Sequence, residues 1–397
     1  MNAIRFTALS IGSILFLGVS QISIAACDQT LSPGANVAST VSTAASGSTI
    51  CLNSGNYGAV SFSNISKSNY VKIQSTSARG ATISPQISNS KYLQFENLTI
   101  SGSTITACAS NIRIANSTFT SGLGITMRNS TCSNYPLNID IDGNTFGSMG
   151  GALYEGRISV ADKDGKQPSM GVIIRNNEIR DGCQSDGVFL AGGASGVQIG
   201  PGNIFSNIVQ SGSVHCDNIQ FYGSGWNNVI EGNFFNGGST LMLIDGNDNG
   251  IIRNNVFKSV GSTTLDVQNA CPSSTYPVTI EHNTFHGALL RINYYCKATI
   301  RNNAFLNGTY STVGTVNCTN CTASYNVASN GVYGTNSIQG TVIFSGGSNP
   351  TTQAGYQLAT GSPGYRDGSD GNDRGINYYG LGTQPIILTA PQNLRLN

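Results

Sequence analysis

Residues 230–257 read IEGNFFNGGSTLMLIDGNDNGIIRNNVF, in which the phrase Ile-x-x-Asn-x-Phe occurs twice. Close variants of the phrase end at Phe146, Ile179, Phe205, Phe285 and Phe305. The shared Asn falls at positions 144, 177, 203, 233, 255, 283 and 303, so successive copies are 20 to 33 residues apart. A short apolar strand repeated at this interval predicts an all-β fold, a single-stranded parallel β-helix with one coil per copy.

The repeated Asn predicts a ladder inside this solenoid. Asn tolerates a left-handed φ at a corner, and its side-chain amide can bond the Asn of the coils above and below. Two looser copies, near Asn97 and Asn116, carry the Asn one place early. We therefore assign these Asn residues a structural role and no chemistry.

A second stack of apolar residues is predicted on the strand that precedes each Asn, with these members: Val188, Ile219, Leu243, Val267 and Ile292. The cysteine spacings agree with stacked coils, since strand spacing lies within disulfide geometry. Sequential pairing predicts five disulfides: Cys27–Cys51, Cys108–Cys132, Cys183–Cys216, Cys271–Cys296 and Cys318–Cys321.

The composition excludes several classes of protein. The 397 residues include 20 Lys and Arg against 19 Asp and Glu, a net charge of +1. This balance argues against a nucleic-acid partner, because affinity for phosphates needs many cations. Charged residues make up 10% and hydrophobic residues 39%, the opposite of a disordered chain. The 10 cysteines suit an oxidising compartment.

The N-terminus predicts export. Residues 1–26 have the charged start, apolar core and small residues of a signal peptide, and no other segment is apolar enough to span a membrane. The protein is thus expected to be secreted or extracytoplasmic, in the periplasm or at the cell surface. Lipid attachment at Cys27 is the alternative to the Cys27–Cys51 disulfide.

One domain with covered ends is expected. Residues 27–46 form an N-terminal cap, in which 31–46 contain a short helix with Val37 and Val41 on one face. Residues 47–345 form the β-helix, and 346–397 form a C-terminal cap and tail. Covered ends protect the open strands of a solenoid from aggregation. A monomer and a side-by-side homotrimer both remain open.

Two stretches carry a family resemblance: GSTICLNSGNY at 47–57 and HCDNIQ at 215–220, the latter followed by the repeats. Over residues 47–380 the chain resembles the pectate-lyase-like superfamily of right-handed parallel β-helices. The resemblance implies a fold shared by polysaccharide lyases, hydrolases, epimerases, tailspikes and noncatalytic adhesins. Function therefore has to be argued from the site.

Asp186 and Asp217 occupy equivalent places on adjacent coils. Because two adjacent buried carboxylates are costly, we expect both at a corner that opens into solvent or a cleft. There they are candidates for the acid and base of a glycoside hydrolase, or for binding Ca²⁺. They resemble polygalacturonase motifs, but Cys216 replaces an expected Asp and the later motifs are missing.

His215 is the candidate base for β-elimination, removing the proton α to a uronate carboxylate. Arg291, at an outward position, is the candidate that neutralises the resulting charge. The expected substrate-binding residues are Gln220, Tyr222, Asp266 and Lys258. In a chain poor in charge, the insertion at 147–170, which contains Arg157, is a candidate wall of the substrate site. A solvated hairpin is the alternative.

The sequence thus predicts an exported lyase that cleaves an acidic, uronic-acid polysaccharide, without an organic cofactor. A hydrolase using Asp186 and Asp217 is one alternative. A noncatalytic glycan-binding or structural surface protein is the other.

Overall fold

The structure is a computed structural model. It describes residues 26–126, 137–150, 155–161, 169–209, 216–223, 225–238, 242–245, 249–259, 264–268, 277–293, 297–313 and 321–377. The predicted signal peptide lies outside the described residues, apart from its last residue. Among the described residues, no helix is long and apolar enough to cross a membrane.

The chain winds in coils whose strands pair in parallel with those of the next coil. One side is a 13-stranded sheet, called here the first sheet. Its strands, in spatial order, are β1 Gln29–Leu31, β2 Thr49–Leu52, β4 Ser66–Ser75, β6 Lys91–Glu96, β8 Ser110–Ala115, β10 Ile139–Asp142, β13 Val172–Arg175, β16 Val197–Ile199, β19 Val229–Glu231, β22 Ile251–Arg253, β25 Val278–Glu281, β28 Ala298–Arg301 and β31 Cys321–Ser324.

The rest of each early coil is a single long strand. In the later coils two short strands replace it, and they form the second and third sheets. The long strands are β3 Gly55–Ser63, β5 Ala81–Ser88, β7 Thr99–Thr106 and β9 Thr118–Thr126. β9 pairs with both β11 and β12, so the side divides there. The second sheet continues as β12 Gly156–Ala161, β15 Asp186–Ala191, β18 Ile219–Tyr222, β21 Met242–Asp245, β24 Thr264–Gln268, β27 Leu289–Asn293 and β30 Thr309–Val313. The third is β11 Thr145–Phe146, β14 Glu178–Arg180, β17 Ile204–Ser206, β20 Phe234–Asn236, β23 Val256–Lys258, β26 Thr284–His286, β29 Ala304–Leu306, β32 Val327–Ala328 and β33 Ile338–Gln339.

The predicted Asn ladder is confirmed and reaches one coil further, to Asn326. Each Nδ2 donates to the Oδ1 of the Asn in the next coil, at 2.9–3.1 Å, from Asn144 to Asn326. Every ladder Asn is buried, with at most 1% of its surface exposed. Because each side chain satisfies its neighbour, a column of amides is stable in the apolar interior.

The left-handed φ belongs to the residue before the ladder Asn, which corrects the prediction. Asn176, for example, has φ 54°, and Gly143 has φ 69°. This also explains the two early copies. Asn97 and Asn116 are themselves the left-handed residues, with φ 55° and 50°. The next residue after Asn116 is Ser117, whose backbone N–H donates to Asn144 Oδ1 at 3.0 Å and begins the ladder.

The Phe of the repeat forms a stacked column in the core. From Phe205 to Phe305 the ring centroids of adjacent coils are 4.7–5.0 Å apart, with nearly parallel planes. This separation is close to the spacing of neighbouring strands, so each coil repeats the packing of the one before it.

The predicted apolar stack is correct for two pairs, but these pairs belong to different columns, and it is wrong at Leu243. Two pairs are in register: Val188 with Ile219, and Val267 with Ile292. Val267 follows Ile244 and Phe221 in the register, two residues away from the column of Ile219. Leu243 pairs with Gln220 and Asp266, one residue away from the inward position. Residues 241–244 are all apolar, so no alternation of side chains was present to set the register.

Two of the predicted disulfides are confirmed, Cys27–Cys51 and Cys183–Cys216, each with a Cα–Cα distance of 5.6 Å. The first occupies the thiol that lipid attachment at Cys27 would need, so that alternative is wrong. Cys108 and Cys321 are also disulfide-bonded. Four of the predicted partners lie outside the described residues: Cys132, Cys271, Cys296 and Cys318.

A helix, α1 Val37–Thr43, lies within the predicted 31–46 segment. Both Val37 and Val41 are buried against the first coil. Asn36 caps the helix, since its Oδ1 accepts the Ser39 N–H at 3.0 Å. The helix thus covers the apolar opening of the solenoid.

We expect Asn36→Ala to loosen this end of the molecule by about 1 kcal/mol, the usual cost of losing an N-cap acceptor. Amide hydrogen exchange in α1, β1 and β2 should become about fivefold faster, because each end of a repeat protein opens locally. Asn36→Asp keeps the acceptor and serves as the control. Equal exchange rates in both variants would show that the cap does not stabilise the end.

The segment 342–376 lies along the outside of the third sheet, with a short 3₁₀ helix at Ala354–Tyr356. It forms a buried apolar cluster with outward residues of that sheet: Val342, Phe344, Tyr356, Leu358 and Ile376 pack on Phe234, Val256, Ala304, Leu306 and Val327. Lys258 Nζ donates to the Pro350 carbonyl at 3.3 Å. The third sheet is therefore covered over these coils.

Candidate functional site

Asp186 and Asp217 lie on adjacent coils at the start of the second sheet, as predicted. The Asp217 N–H donates to Asp186 Oδ1 at 2.7 Å. The expected opening to solvent is wrong, because the two residues are only 1% and 0% exposed. Their carboxylates therefore belong to the wall of the solenoid rather than to its surface.

Glycine allows the coils to approach this closely. A Cβ at Gly187 would lie 2.4 Å from the Asn218 carbonyl oxygen, well inside contact distance. The Gly187 N–H donates to the Asp217 carbonyl at 2.9 Å. The Cys183–Cys216 disulfide holds the same two coils together just before the carboxylates.

Arg157 supplies the positive charge near this pair. Its guanidinium is buried and donates to the carbonyls of Arg180 and Asp181, both at 2.6 Å, and of Gly182 at 3.0 Å. Burial lowers the pKa of Arg157 to about 10, against the opposing effect of Asp181 and Asp186. A guanidinium in this place offsets part of the cost of burying carboxylates.

The expectation that Arg157 lies in an exposed wall of the substrate site is thus wrong. Ile158 and Val160 of β12 face the core, so alternation alone puts Arg157 on the outer face of the strand. Its burial follows from tertiary contacts that the sequence pattern does not give.

Calcium binding at Asp186 and Asp217 stays a prediction. Calcium takes six to eight oxygen ligands. Within the described ranges, no group of three or more His, Cys, Asp or Glu is placed to hold a metal ion. One oxygen of Asp186 already accepts a backbone hydrogen bond. The described residues therefore form an incomplete donor set for Ca²⁺.

Arg291 and Asp266 form an ion pair on the outside of the second sheet. They are register neighbours on β27 and β24, and Arg291 Nη2 donates to Asp266 Oδ2. The Asp266 side chain is 2% exposed, whereas that of Arg291 is 35% exposed. The hydrogen bond to Asp266 raises the pKa of Arg291 above its ordinary value. The pair thus presents a fixed, half-exposed guanidinium to solvent.

Gln220 belongs to the same outward column as this pair. The register runs from Gln220 through Leu243 to Asp266 and Arg291. Three coil steps separate Gln220 from Arg291, about 14 Å at ordinary strand spacing. Tyr222 lies two residues after Gln220 on the same side, with 65% of its surface exposed.

The structure therefore brings some of the predicted site residues together and separates others. Gln220, Tyr222, Asp266 and Arg291 share the outer side of the second sheet. Lys258 is on the third sheet, against the C-terminal segment. His215 lies outside the described residues, directly before the disulfide-bonded Cys216.

Comparison with known proteins agrees with this architecture. Residues 158–289 match a family model described as "Right handed beta helix region". The fold is a right-handed parallel β-helix. This confirms the predicted fold and its resemblance to the pectate-lyase-like β-helices. No curated protein matches the sequence.

Among solved structures, the chain is similar to the PL6 family alginate lyase AlyGC, with a TM-score of 0.53 and 14% identity. The match covers 88% of this β-helix chain and 58% of that chain. Pectate lyase Pel9A matches with a TM-score of 0.45 and 14% identity, over 89% and 94% of the two chains. PfbA, a surface adhesin of Streptococcus pneumoniae, matches with a TM-score of 0.40 and 13% identity, over 78% and 90%. At these identities the likeness concerns the fold alone.

Proposed function

We propose that this β-helix is an exported polysaccharide lyase that cleaves a uronic-acid polymer by β-elimination along the second sheet. The observation that carries the proposal is the half-exposed guanidinium of Arg291, anchored by the buried Asp266. Arg291 shares an outward column with an amide, Gln220, which lies three coils away together with the exposed ring of Tyr222. These groups could bind successive units of an acidic polysaccharide.

In the proposed step, His215 removes the proton α to the uronate carboxylate. The C–H electron pair forms a double bond to the neighbouring carbon, and the glycosidic C–O bond at that carbon breaks. The departing oxygen takes a proton from water and becomes the new end of the leaving chain, and His215 returns its proton to solvent. Arg291 stabilises the negative charge that develops on the carboxylate before the bond breaks.

The buried state of Asp186 and Asp217 argues against the hydrolase alternative. An acid and a base that cleave a glycosidic bond have to reach the bond and a water molecule. At 1% and 0% exposure neither residue reaches a sugar. Their place beside Arg157 and the Cys183–Cys216 disulfide supports a structural role for both.

The noncatalytic alternative is favoured by one observation. Asp266 offsets the positive charge of Arg291, so Arg291 stabilises the dianion formed by proton removal from the uronate less strongly. The guanidinium can still donate hydrogen bonds to the carboxylate of a bound sugar. A surface protein that retains acidic glycans without cleaving them fits the same groove. Export to an oxidising compartment is supported by two disulfides, Cys27–Cys51 and Cys183–Cys216.

The test follows the ultraviolet absorbance of unsaturated uronate products together with new reducing ends, on a panel of uronic-acid polysaccharides. We expect both signals to rise with the mature protein and to fall at least about a hundredfold in His215→Ala, the usual contribution of a general base. His286→Ala is the matched control, because His286 lies on the third sheet, where its ring is hydrogen-bonded to the Tyr356 hydroxyl of the C-terminal segment. Reducing ends without absorbance would indicate hydrolysis, and retention of polymer without either signal would indicate a binding protein.

A further inference from the structure

Two exposed aromatic side chains lie close in sequence on the coil of β18, three coils away from Arg291. Tyr222 ends β18, and Trp226 lies at the following corner with 42% of its surface exposed. Large rings are usually buried, so two exposed rings four residues apart suggest a ligand-binding role. Residues 218–230 contain no charged side chain.

The corner that carries the rings is held rigidly to the coil beneath it. The Gly193 N–H donates to the Gly223 carbonyl at 2.7 Å, and the Gly225 N–H donates to Ala194 at 3.1 Å. The Trp226 carbonyl accepts the Gly196 N–H at 3.0 Å. The described backbone at Gly223, Gly225 and Trp226 is therefore bonded to the coil beneath it.

The coil beneath has almost no side chains at this corner. Residues 192–196 read Gly-Gly-Ala-Ser-Gly, and Ala191 is the register partner of Tyr222. Glycine here is also a requirement of close approach, because a Cβ at Gly225 would lie 1.9 Å from Ser195 Oγ. A row of small residues leaves a shallow floor beside the two rings.

We infer that Tyr222 and Trp226 form a sugar-stacking subsite for a uronic-acid oligosaccharide, remote from the unit that Arg291 contacts. This inference rests on the proposed function, since the polymer is taken to run along the second sheet. Tyr222 and Arg291 are three coils apart, about 14 Å along the axis at ordinary strand spacing. Aromatic rings stack on the apolar faces of sugar rings, while the amides of Gln220 and Asn227 nearby orient hydroxyl groups.

The chain offers a direct readout, because Trp226 is its only tryptophan. Its intrinsic fluorescence is titrated with hexamers and dimers of galacturonate and of mannuronate, and with maltohexaose. We expect a saturable change with a uronate hexamer, and binding about tenfold weaker in Tyr222→Ala, the effect of losing one aromatic contact. A dimer cannot span both regions and should bind weakly.

Calorimetry extends the test to Trp226 itself. Trp226→Ala should weaken binding of the hexamer about tenfold, and Trp226→Phe should retain most of the affinity. Val332→Ala is the matched control, because Val332 is an exposed apolar residue, 58% accessible, near the other end of the solenoid. Both aromatic side chains are exposed, so the unfolding midpoints should stay unchanged.

The outcomes separate this inference from the proposed function. Release of unsaturated product without any change in fluorescence would overturn the subsite and leave the lyase proposal standing. A saturable change without product would support the subsite and overturn the lyase proposal. Equal affinity for maltohexaose would overturn the assignment to uronates.

Discussion

Arg291→Ala should lower kcat/KM on the uronic-acid substrate by about a hundredfold to a thousandfold, the usual effect of removing a group that stabilises an oxyanion. Arg291 is the half-exposed member of its pair, and Asp266 fixes its position from the buried side. Loss of the guanidinium removes both the charge and the hydrogen-bond donors from the groove. The measurement is initial rate against substrate concentration, by absorbance of the unsaturated product.

Two variants make this prediction specific. Arg291→Lys keeps a charge and should recover part of the activity, although a point charge replaces a planar donor. Arg301→Ala removes the same type of side chain from the first sheet, where Arg301 pairs with Glu281 at 2.8 Å and is 47% exposed. It should retain full activity. If the Arg291→Ala and Arg301→Ala rates are equal, Arg291 only compensates Asp266.

Asn177→Leu should lower the free energy of unfolding by about 3–5 kcal/mol, because several buried polar groups lose their partners at once. Asn177 Nδ2 donates to the Ile141 carbonyl at 2.9 Å and to Asn203 Oδ1 at 3.0 Å. Its own Oδ1 accepts from the Asn144 backbone N–H at 2.9 Å and from Asn144 Nδ2 at 3.1 Å. Leucine supplies none of these contacts.

Asn176, which precedes Asn177 in the same coil, provides the matched control for Asn177→Leu. Asn176 has φ 54°, the left-handed position at which three other coils carry glycine: Gly143, Gly202 and Gly232. Asn176→Gly should therefore change stability by less than about 1 kcal/mol. Urea unfolding midpoints compare the two variants. Similar losses at both positions would mean that the corner, rather than the ladder, stabilises the coil.

The candidate site was only partly predictable from sequence. The outward positions of Gln220, Asp266 and Arg291 follow from strand alternation, and the structure places them in one column. The alternation of inward and outward residues along a strand does not predict which outward side chains contact each other. The predicted register of Val267 with Ile292 makes Asp266 and Arg291 neighbours, but their contact also depends on the side-chain conformations, which the sequence does not give. The register error at Leu243 misplaced the strand between them and Gln220.

By itself, the sequence determined the solenoid, the Asn ladder, and the disulfides Cys27–Cys51 and Cys183–Cys216. The coils and the ladder recur along the chain, so every copy adds independent support for the same local geometry. Burial of Asp186 and Asp217 and the interior position of Arg157 were decided only in three dimensions. So was the covering of Lys258 by a segment 92 residues away. Each of these features depends on contacts between residues that are far apart in the sequence. A repeat pattern predicts contacts between equivalent positions of adjacent coils and no others.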